Sequence, residues 1–468
     1  MKRIARLLGF ASLPFLLLVA AQAQTVDTIN PALRGRIDNI VTQVLRATGV
    51  PSASIAIVQH GKIVYTHAYG LANLQPPVPA TTAMRYPIGS ISKQFTAAAI
   101  LLLQQEGKLS LNDPVGKYIP HLTRGDEVTI GEILSQTSGY QDYWPEDYEM
   151  PLMQYAETPQ QILDTWAKRP LDFNPGTKWE YSNTNYVIAG EIVQKVSGEP
   201  LMQFLTQHIF APLGMKSVVN FDQGQMTAPD ATGYSRYALG PLRPSPKEGK
   251  GWMFGAGELA MTAQDLALWD QSLLAQSVLK PAGYKEMFTP VRLPDGKNTH
   301  YGLGVEAMER DGHLSIEHSG EVSGFVSDNM VLVNDGAAVV VLTNQDAVDA
   351  ASAIAQYAAP LVAGYEPALS PVEQQALEIY RGLQKGHIDR SLLSPNLNAY
   401  FNAQALADFK SSLGPLGEPL RFHLDGSEQR GGMTFRMFTI TYPGKRLLLT
   451  TYSYANGKLE QYLVAPAN

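Results

Sequence analysis

Residues 85–103 read RYPIGSISKQFTAAAILLL. The first five residues include a proline and a glycine, which interrupt regular structure, so a helix is expected to begin directly after them. The run from Phe95 onward is apolar almost all round, which is typical of a helix buried in the middle of a core. Gly107 is expected to end it. The segment therefore predicts a central buried helix whose first turn opens from a loop.

Two side chains in the first turn of this helix form a candidate reactive pair. A hydroxyl nucleophile needs a base within hydrogen-bonding distance, and Ser90 and Lys93 share one helical face. Burial beside the apolar run would destabilise the ammonium form of Lys93, so its amine would serve as a neutral base. Unpaired backbone N–H groups of the first turn would help to bind a developing oxyanion.

The same Ser-x-x-Lys spacing occurs again at Ser277 and Lys280. Ser277 lies near the end of another predicted helix and Pro281 follows, whereas Ser90 follows a chain breaker and begins a buried helix. This context favours Ser90 as the nucleophile, over Ser277 and over the alternative in which Ser90 only caps the helix.

A second candidate group is Tyr181-Ser182-Asn183, in a predicted loop before a helix at Tyr186. A phenol takes part in proton transfer when nearby cations lower its pKa, and Lys93 would be that cation. Asn183 would orient the lysine or a substrate amide. The Tyr-x-Asn pattern also occurs at Tyr400 and Tyr454, so it gains weight only beside the first motif.

The third candidate is the segment His318-Ser319-Gly320, which ends a predicted strand and continues into Glu321. A strand edge offers backbone N–H groups that complete an oxyanion hole and pair with an extended substrate. Taken alone, His318 is better explained as a hydrogen-bonded histidine of the core, and it becomes a site candidate through its position after the other two motifs.

The N-terminus has the pattern of an export signal. Three cations among the first six residues precede an apolar run at 7–21, which ends in the small-x-small segment Ala21-Gln22-Ala23. The run is shorter than the roughly 18 to 20 residues that span a bilayer, so a signal cleaved after Ala23 is favoured over an uncleaved anchor. We expect a mature periplasmic or secreted protein that begins at Gln24 and has no membrane span.

Composition excludes several kinds of chemistry. The 468 residues contain no cysteine, which removes thiol nucleophiles, Cys-ligated zinc, iron–sulfur clusters and disulfides. The nine histidines form no His-Glu-x-x-His pattern, and no Gly-Lys-[Ser/Thr] segment occurs, so we expect no metal and no cofactor. The formal net charge is −7, and no Lys/Arg run follows the signal. Nucleic acid is therefore not an expected partner.

The pattern of elements predicts how the chain is organised. A hairpin near residues 53–69 and strands between 302 and 342, with helices between them, suggest one antiparallel sheet assembled from both ends of a long domain. The pattern resets near residue 364. Two helices, at 373–383 and 403–413, then precede three or four strands. We predict a signal at 1–23, a hydrolase domain at 24–364 and a small α+β domain at 365–468.

In this order and spacing, the three motifs resemble those of the penicillin-recognising serine hydrolases, which include class C β-lactamases, D-Ala-D-Ala carboxypeptidases, D-aminopeptidases and related esterases. The strings LSQTSG at 134–139 and GAGELAMTA at 255–263 also look like segments of this family. The resemblance covers roughly residues 53–359. It implies an α/β sandwich of an antiparallel sheet flanked by helices, beside a helical region. The C-terminal part resembles NTF2-like or cystatin-like modules only in its helices-then-sheet order.

The resemblance also implies a mechanism. Ser90 would attack a carbonyl carbon while Lys93 and Tyr181 exchange its proton, and water would then hydrolyse the acyl-enzyme. The backbone N–H groups of Ser90 and Glu321, beside Gly320, would hold the oxyanion. Asn183 and His318 would position the substrate and the Lys–Tyr pair.

One position departs from much of this family. Many β-lactamases and penicillin-binding proteins have Lys-[Ser/Thr]-Gly where this chain has His318-Ser319-Gly320. A histidine is mostly neutral at pH 7, so recognition of a substrate carboxylate should be weaker. The expected enzyme is thus a peptidase or esterase acting on a small-molecule or peptide substrate. The alternatives are a β-lactamase and a non-catalytic sensor of peptidoglycan or β-lactams.

Overall fold

The structure is a computed structural model that describes residues 26–146, 151–224, 226, 229–310, 312–365 and 369–467. The expected signal at 1–23 lies outside these residues. Within the described ranges, no helix is both long and apolar enough to cross a membrane.

A seven-stranded antiparallel sheet forms the centre of the fold, with strand order β3-β2-β1-β12-β11-β10-β9. The first strands pair with the last because β1 lies between β2 and β12, as the sequence predicts. Short strands outside this sheet pair with one another, in the order β4-β8-β5 and as the pair β6-β7. The strands are β1 (Ser52–Gln59), β2 (Lys62–Leu74), β3 (Pro77–Pro79), β4 (Tyr86–Pro87), β5 (Val219–Asn220), β6 (Tyr234–Ser235), β7 (Arg243–Pro244), β8 (Leu259–Met261), β9 (Glu306–Arg310), β10 (His313–Val322), β11 (Phe325–Leu332) and β12 (Ala337–Thr343).

Helices cover both faces of this sheet. Those before residue 365 are α1 (Pro31–Thr48), α2 (Ser92–Gln105), α3 (Ile130–Leu134), α4 (Pro159–Ile162), α5 (Asn183–Ser197), α6 (Leu201–Leu205), α7 (Ala211–Leu213), α8 (Ala263–Ala275), α9 (Pro281–Phe288) and α10 (Ala350–Ala363). Successive residues of a strand point to opposite faces, so β1 contributes Ile55 and Ile57 to a core beneath α1 and α10. It contributes Ala56 and Val58 to a larger core that contains α2. The expected sheet flanked by helices, beside a helical region, is confirmed.

The central helix α2 is buried along most of its length, as its sequence predicts. Its beginning differs from the prediction, because Gly89–Ile91 form a short 3-10 helix and α2 starts at Ser92. Ser90 therefore lies in this tight turn and not in the first α-helical turn. A second boundary also shifts, since α5 begins at Asn183 and not at Tyr186.

The C-terminal part has a sheet of its own. Helices α11 (Pro371–Gln384), α12 (Pro395–Tyr400) and α13 (Ala403–Leu413) precede the antiparallel strands β13 (Arg421–Arg430), β14 (Met433–Tyr442), β15 (Lys445–Ser453) and β16 (Leu459–Pro466), which pair in chain order. A separate hydrophobic core fills this part. It meets the first part where Gln43 Nε2 donates to the carbonyl oxygen of Glu418, at 2.5 Å. The exact domain limits and the NTF2-like resemblance stay predictions.

Candidate active site

The turn that carries Ser90 packs directly against β10. Gly89 has φ 52°, and a Cβ there would lie 2.7 Å from the backbone nitrogen of Glu321. A Cβ on Gly320 would lie 1.9 Å from the carbonyl oxygen of Ile88. Both positions thus require glycine, because any side chain would push the turn away from the strand. The contact brings the Ser90 turn beside Glu321.

The strand edge at Glu321 faces this turn. Val322 pairs with Phe325 across a two-residue loop, so the N–H and C=O groups of Val322 point toward β11. The N–H and C=O groups of the preceding residue, Glu321, therefore point away from β11. On the edge of β10 that faces away from β11, the pairing with β9 ends at Glu317. Beyond Glu317, the Ser90 turn lies along that edge. The geometry suits an oxyanion hole made by the N–H groups of Ser90 and Glu321.

The amine of Lys93 is held by three oxygen atoms. Nζ lies 2.9 Å from Ser90 Oγ, 2.8 Å from Asn183 Oδ1 and 2.9 Å from the carbonyl oxygen of Ala256. Lys93 is 0% exposed, and burial lowers its pKa to about 7, although the charge of Asp142 opposes this shift. Two of the three oxygens accept hydrogen bonds only. A neutral amine therefore donates to Asn183 and Ala256 and directs its lone pair at the Ser90 hydroxyl.

Tyr181 completes the group around Ser90. Its ring centroid is 4.9 Å from Lys93 Nζ, and the Ser90 side chain lies close enough to influence the pKa of its phenol. The sequence-based expectation that Lys93 lowers the pKa of Tyr181 is wrong, because burial raises that pKa above its ordinary value, although the nearby Ser90 side chain partly opposes this shift. Tyr181 is thus a neutral phenol, which both donates and accepts a hydrogen bond.

The LSQTSG segment at 134–139 holds the Tyr181 loop in place. Gln136 Oε1 accepts from the backbone N–H of Ser182 at 3.1 Å and from Asn185 Nδ2 at 2.7 Å. Ser138 Oγ donates to Asn185 Oδ1 at 2.6 Å. These buried contacts explain why this string accompanies the Tyr-x-Asn motif, since they fix the start of α5 behind it.

Asp142 is a site residue that sequence reasoning missed. Its carboxylate accepts from the Asn183 backbone N–H at 2.9 Å and from Asn183 Nδ2 at 3.3 Å, which turns Asn183 Oδ1 toward Lys93. It also accepts from the Trp144 N–H at 3.2 Å. Asp142 lies in a loop without a motif or periodicity, so no local signal could have identified it.

His318 lies beside the site but is committed to other contacts. It is 3% exposed, its Nδ1 is 2.5 Å from the Ser319 carbonyl oxygen and its Nε2 is 3.0 Å from Tyr301 Oη. Since a carbonyl oxygen only accepts, Nδ1 carries the proton and Tyr301 donates to Nε2. Burial, together with a smaller contribution from the charge of Lys93, lowers the pKa of His318 to about 3. His318 is thus neutral, as expected, and supports the wall formed by Tyr181 and Tyr301. Tyr301 also escaped sequence reasoning.

The competing motifs lie elsewhere. Ser277 and Lys280 are exposed between α8 and α9. Tyr400 and Tyr454 are exposed in the C-terminal part. Among the residues that the structure describes, no three His, Asp or Glu side chains are arranged to hold a metal ion.

Comparisons with known proteins define the class. The chain belongs to the Beta-lactamase family, whose sequence profile matches residues 37–362. It is 30% identical over 253 residues to the putative penicillin-binding protein PbpX of Bacillus subtilis, covering 54% of this chain and 61% of that protein. It is 30% identical over 319 residues to protein flp of Staphylococcus aureus, covering 66% and 62%. The chain thus spans about six tenths of the length of these curated relatives.

Solved structures agree with this membership. A D-stereospecific amidohydrolase from Streptomyces sp. is 28% identical, with a TM-score of 0.59 over 67% of this chain and 94% of that one. The D-amino acid amidase of Ochrobactrum anthropi SV3 with L-phenylalanine amide is 26% identical, with a TM-score of 0.61 over 71% and 98%. The octameric penicillin-binding protein homologue of Pyrococcus abyssi shares the fold over 92% of this chain, at 22% identity and a TM-score of 0.62.

Proposed function

We propose that this protein is an exported serine hydrolase that cleaves an amide or ester bond through an acyl-enzyme on Ser90. The observation that carries the proposal is the contact of 2.9 Å between Ser90 Oγ and the buried amine of Lys93. Family membership supports the general class of serine hydrolase. Export is inferred from residues 1–23.

The proposed reaction starts with the neutral amine of Lys93, which removes the proton from Ser90 as Oγ attacks the substrate carbonyl carbon. The N–H groups of Ser90 and Glu321 stabilise the oxyanion. Tyr181, beside Ser90, donates a proton to the leaving group as its bond to the carbonyl carbon breaks, and it receives the proton held by Lys93 in exchange. A water molecule then attacks the ester carbon, the bond to Ser90 Oγ breaks, and a proton from the water returns to Ser90 through the same groups. Asn183 keeps the Lys93 amine in place.

The substrate class follows from the charges at the site. His318 is neutral and its two nitrogens are occupied, so it offers no cation to a substrate carboxylate. This favours a peptidase, amidase or esterase over a β-lactamase. The D-stereospecific amidohydrolase and D-amino acid amidase among the similar structures support an aminoacyl amide as the first substrate to test.

Labelling with an acyl-fluorophosphonate tests the proposal. The label should bind the wild type and the Ser277→Ala variant but not Ser90→Ala. Labelling that survives in Ser90→Ala and disappears in Ser277→Ala would sink the assignment. Hydrolysis of D-amino-acid amides, D-Ala-D-Ala peptides, nitrocefin and p-nitrophenyl esters then separates the alternatives. Turnover of nitrocefin alone would identify a β-lactamase, and labelling without turnover of any substrate would identify a sensor.

A further inference from the structure

A cavity of about 360 Å³ is lined by Pro87, two residues before the Ser90 turn, and lies where the β10–β11 loop meets the end of β2. Its walls are mostly apolar, with Met84, Phe221 and Phe325 among them. The ionisable residues that line it are Asp230, Lys247 and Glu248. This volume is that of a small-molecule site with a few polar groups at its edge.

The three charged groups differ in how they are satisfied. Asp230 is paired with Arg85, whose Nε and Nη2 donate to its two oxygens at 2.9 and 2.5 Å. Lys247 is exposed, and its charge lowers the pKa of Glu248 by less than burial raises it. Glu248 Oε1 accepts from the Ser323 N–H at 2.8 Å, and burial raises the pKa of Glu248. A cation bound at Glu248 would offset the cost of keeping this carboxylate poorly solvated.

The position of Glu248 relates it to the oxyanion hole. Along a strand, every second backbone N–H points toward the same edge. The N–H groups of Glu321, near the end of β10, and of Ser323, directly after β10, therefore point the same way and lie about 7 Å apart. The Glu248 carboxylate occupies that edge at Ser323. In an α-aminoacyl group the nitrogen lies about 3 Å from the carbonyl oxygen. When a carbonyl oxygen sits on the Glu321 N–H, an α-ammonium that points along the strand toward Ser323 would lie about 4 Å from Glu248, which is ion-pair distance.

The electrostatics also relate Glu248 to the loop that carries Asp142. The pKa of Tyr143 is raised mainly by burial, and the negative charges of Asp142 and Glu248 both add to that shift. Tyr143 is therefore within electrostatic range of both carboxylates.

We propose that Glu248 binds the α-ammonium group of an aminoacyl substrate while the substrate side chain enters the cavity. This inference rests on the proposed function. It makes the enzyme selective for acyl groups with a free α-amine. Glu248 acts in substrate binding and selection and takes no part in proton transfer.

The test compares D-alanine p-nitroanilide with its N-acetyl derivative, in which a neutral acetamide replaces the ammonium group. In Glu248→Gln, the ratio of kcat/KM for the free amine to kcat/KM for the N-acetyl substrate should fall at least tenfold. Glutamine still accepts from the Ser323 N–H, so the β10–β11 loop should keep its shape. Glu428→Gln, an exposed change in β13, should leave the ratio unchanged.

Each outcome has a distinct meaning. A wild type that does not prefer the free amine, or a ratio unaltered in Glu248→Gln, overturns the role of Glu248. Fluorophosphonate labelling of Ser90 at the wild-type rate shows that the variant site is folded. Hydrolysis that persists in Ser90→Ala would instead overturn the proposed function, whatever the ratio does.

Discussion

The chain contains two segments with the same spacing of serine and lysine, and their environments differ. The residue before each serine has a left-handed backbone, with φ 52° at Gly89 and 51° at Gln276. Lys93 is fully buried among three oxygens, whereas Ser277 and Lys280 are exposed between two helices. The comparison shows that the Ser-x-x-Lys spacing by itself only brings the serine and lysine side chains close together. Burial lowers the pKa of the Lys93 amine, and the opposing strand offers the backbone N–H that the proposed oxyanion hole needs.

Replacing each of the two lysines in turn should give the largest difference in activity between the two segments. Lys93→Met removes the base, so kcat/KM should fall by about 10²- to 10⁴-fold, the usual contribution of a positioned acid–base group. Lys280→Met should leave kcat/KM within twofold of the wild type. The assay is hydrolysis of p-nitrophenyl acetate with folding checked by circular dichroism. Equal losses in the two variants would show that position in the fold does not distinguish them.

The same pair predicts a pH dependence of stability. The pKa of Lys93 is lowered from 10.5 to about 7 in the folded protein, so between these values the unfolded chain binds more protons than the folded one. The free energy of unfolding of the wild type, relative to Lys93→Met, should therefore rise as pH increases from 7 to 10. Urea unfolding at several pH values measures this difference. A difference that stays constant would mean that Lys93 titrates normally.

The two left-handed residues offer the next comparison. Gly89→Ala would place a Cβ 2.7 Å from the Glu321 nitrogen, so the turn must move away from β10. Loss of one oxyanion contact should lower kcat by about 10²-fold. Steady-state kinetics at saturating substrate test this expectation, and a kcat within twofold of the wild type would contradict it.

Asp142→Asn should have a smaller effect, mainly on the pH profile. The charge of Asp142 raises the pKa of Lys93, so its removal should lower that pKa further and move the acid limb of kcat/KM to lower pH. Weaker support for Asn183 should also reduce kcat/KM about tenfold at the optimum. Asp408→Asn, an exposed change in α13, is the control. If the acid limb of kcat/KM does not move in Asp142→Asn, the role of Asp142 is structural only.

The smallest effect is expected at Gln276. This exposed residue ends α8 in a left-handed conformation, which costs a side-chain residue about 1–2 kcal/mol. Glycine adopts that conformation freely but gains entropy in the unfolded chain, so Gln276→Gly should raise the free energy of unfolding by at most about 1 kcal/mol. Hydrolysis should not change. Urea unfolding gives the sign, and a loss of stability would refute the expectation.

Local patterns carried much of the prediction of the fold. The apolar run after Ser90 indicated a buried helix, and the alternation in β1 and β2 indicated a hairpin whose sheet is completed by late strands. The predicted starts of α2 and α5 differ from the observed ones. The tight turn at 89–91 depends on contacts with β10, and the first residues of α5 depend on contacts with the LSQTSG segment.

The sequence by itself determined the reactive pair, its order relative to Tyr181 and His318, and the likeness to a known family. These features depend on spacing, breakers and apolar periodicity, all of which are local. Only the tertiary structure decided that Asp142 and Tyr301 lie beside them and that Glu248 contacts Ser323. Each of these residues lies in a loop or near a strand end and meets the site through contacts between distant parts of the chain. The direction of the pKa shifts of Lys93 and Tyr181 likewise depends on how completely packing excludes water.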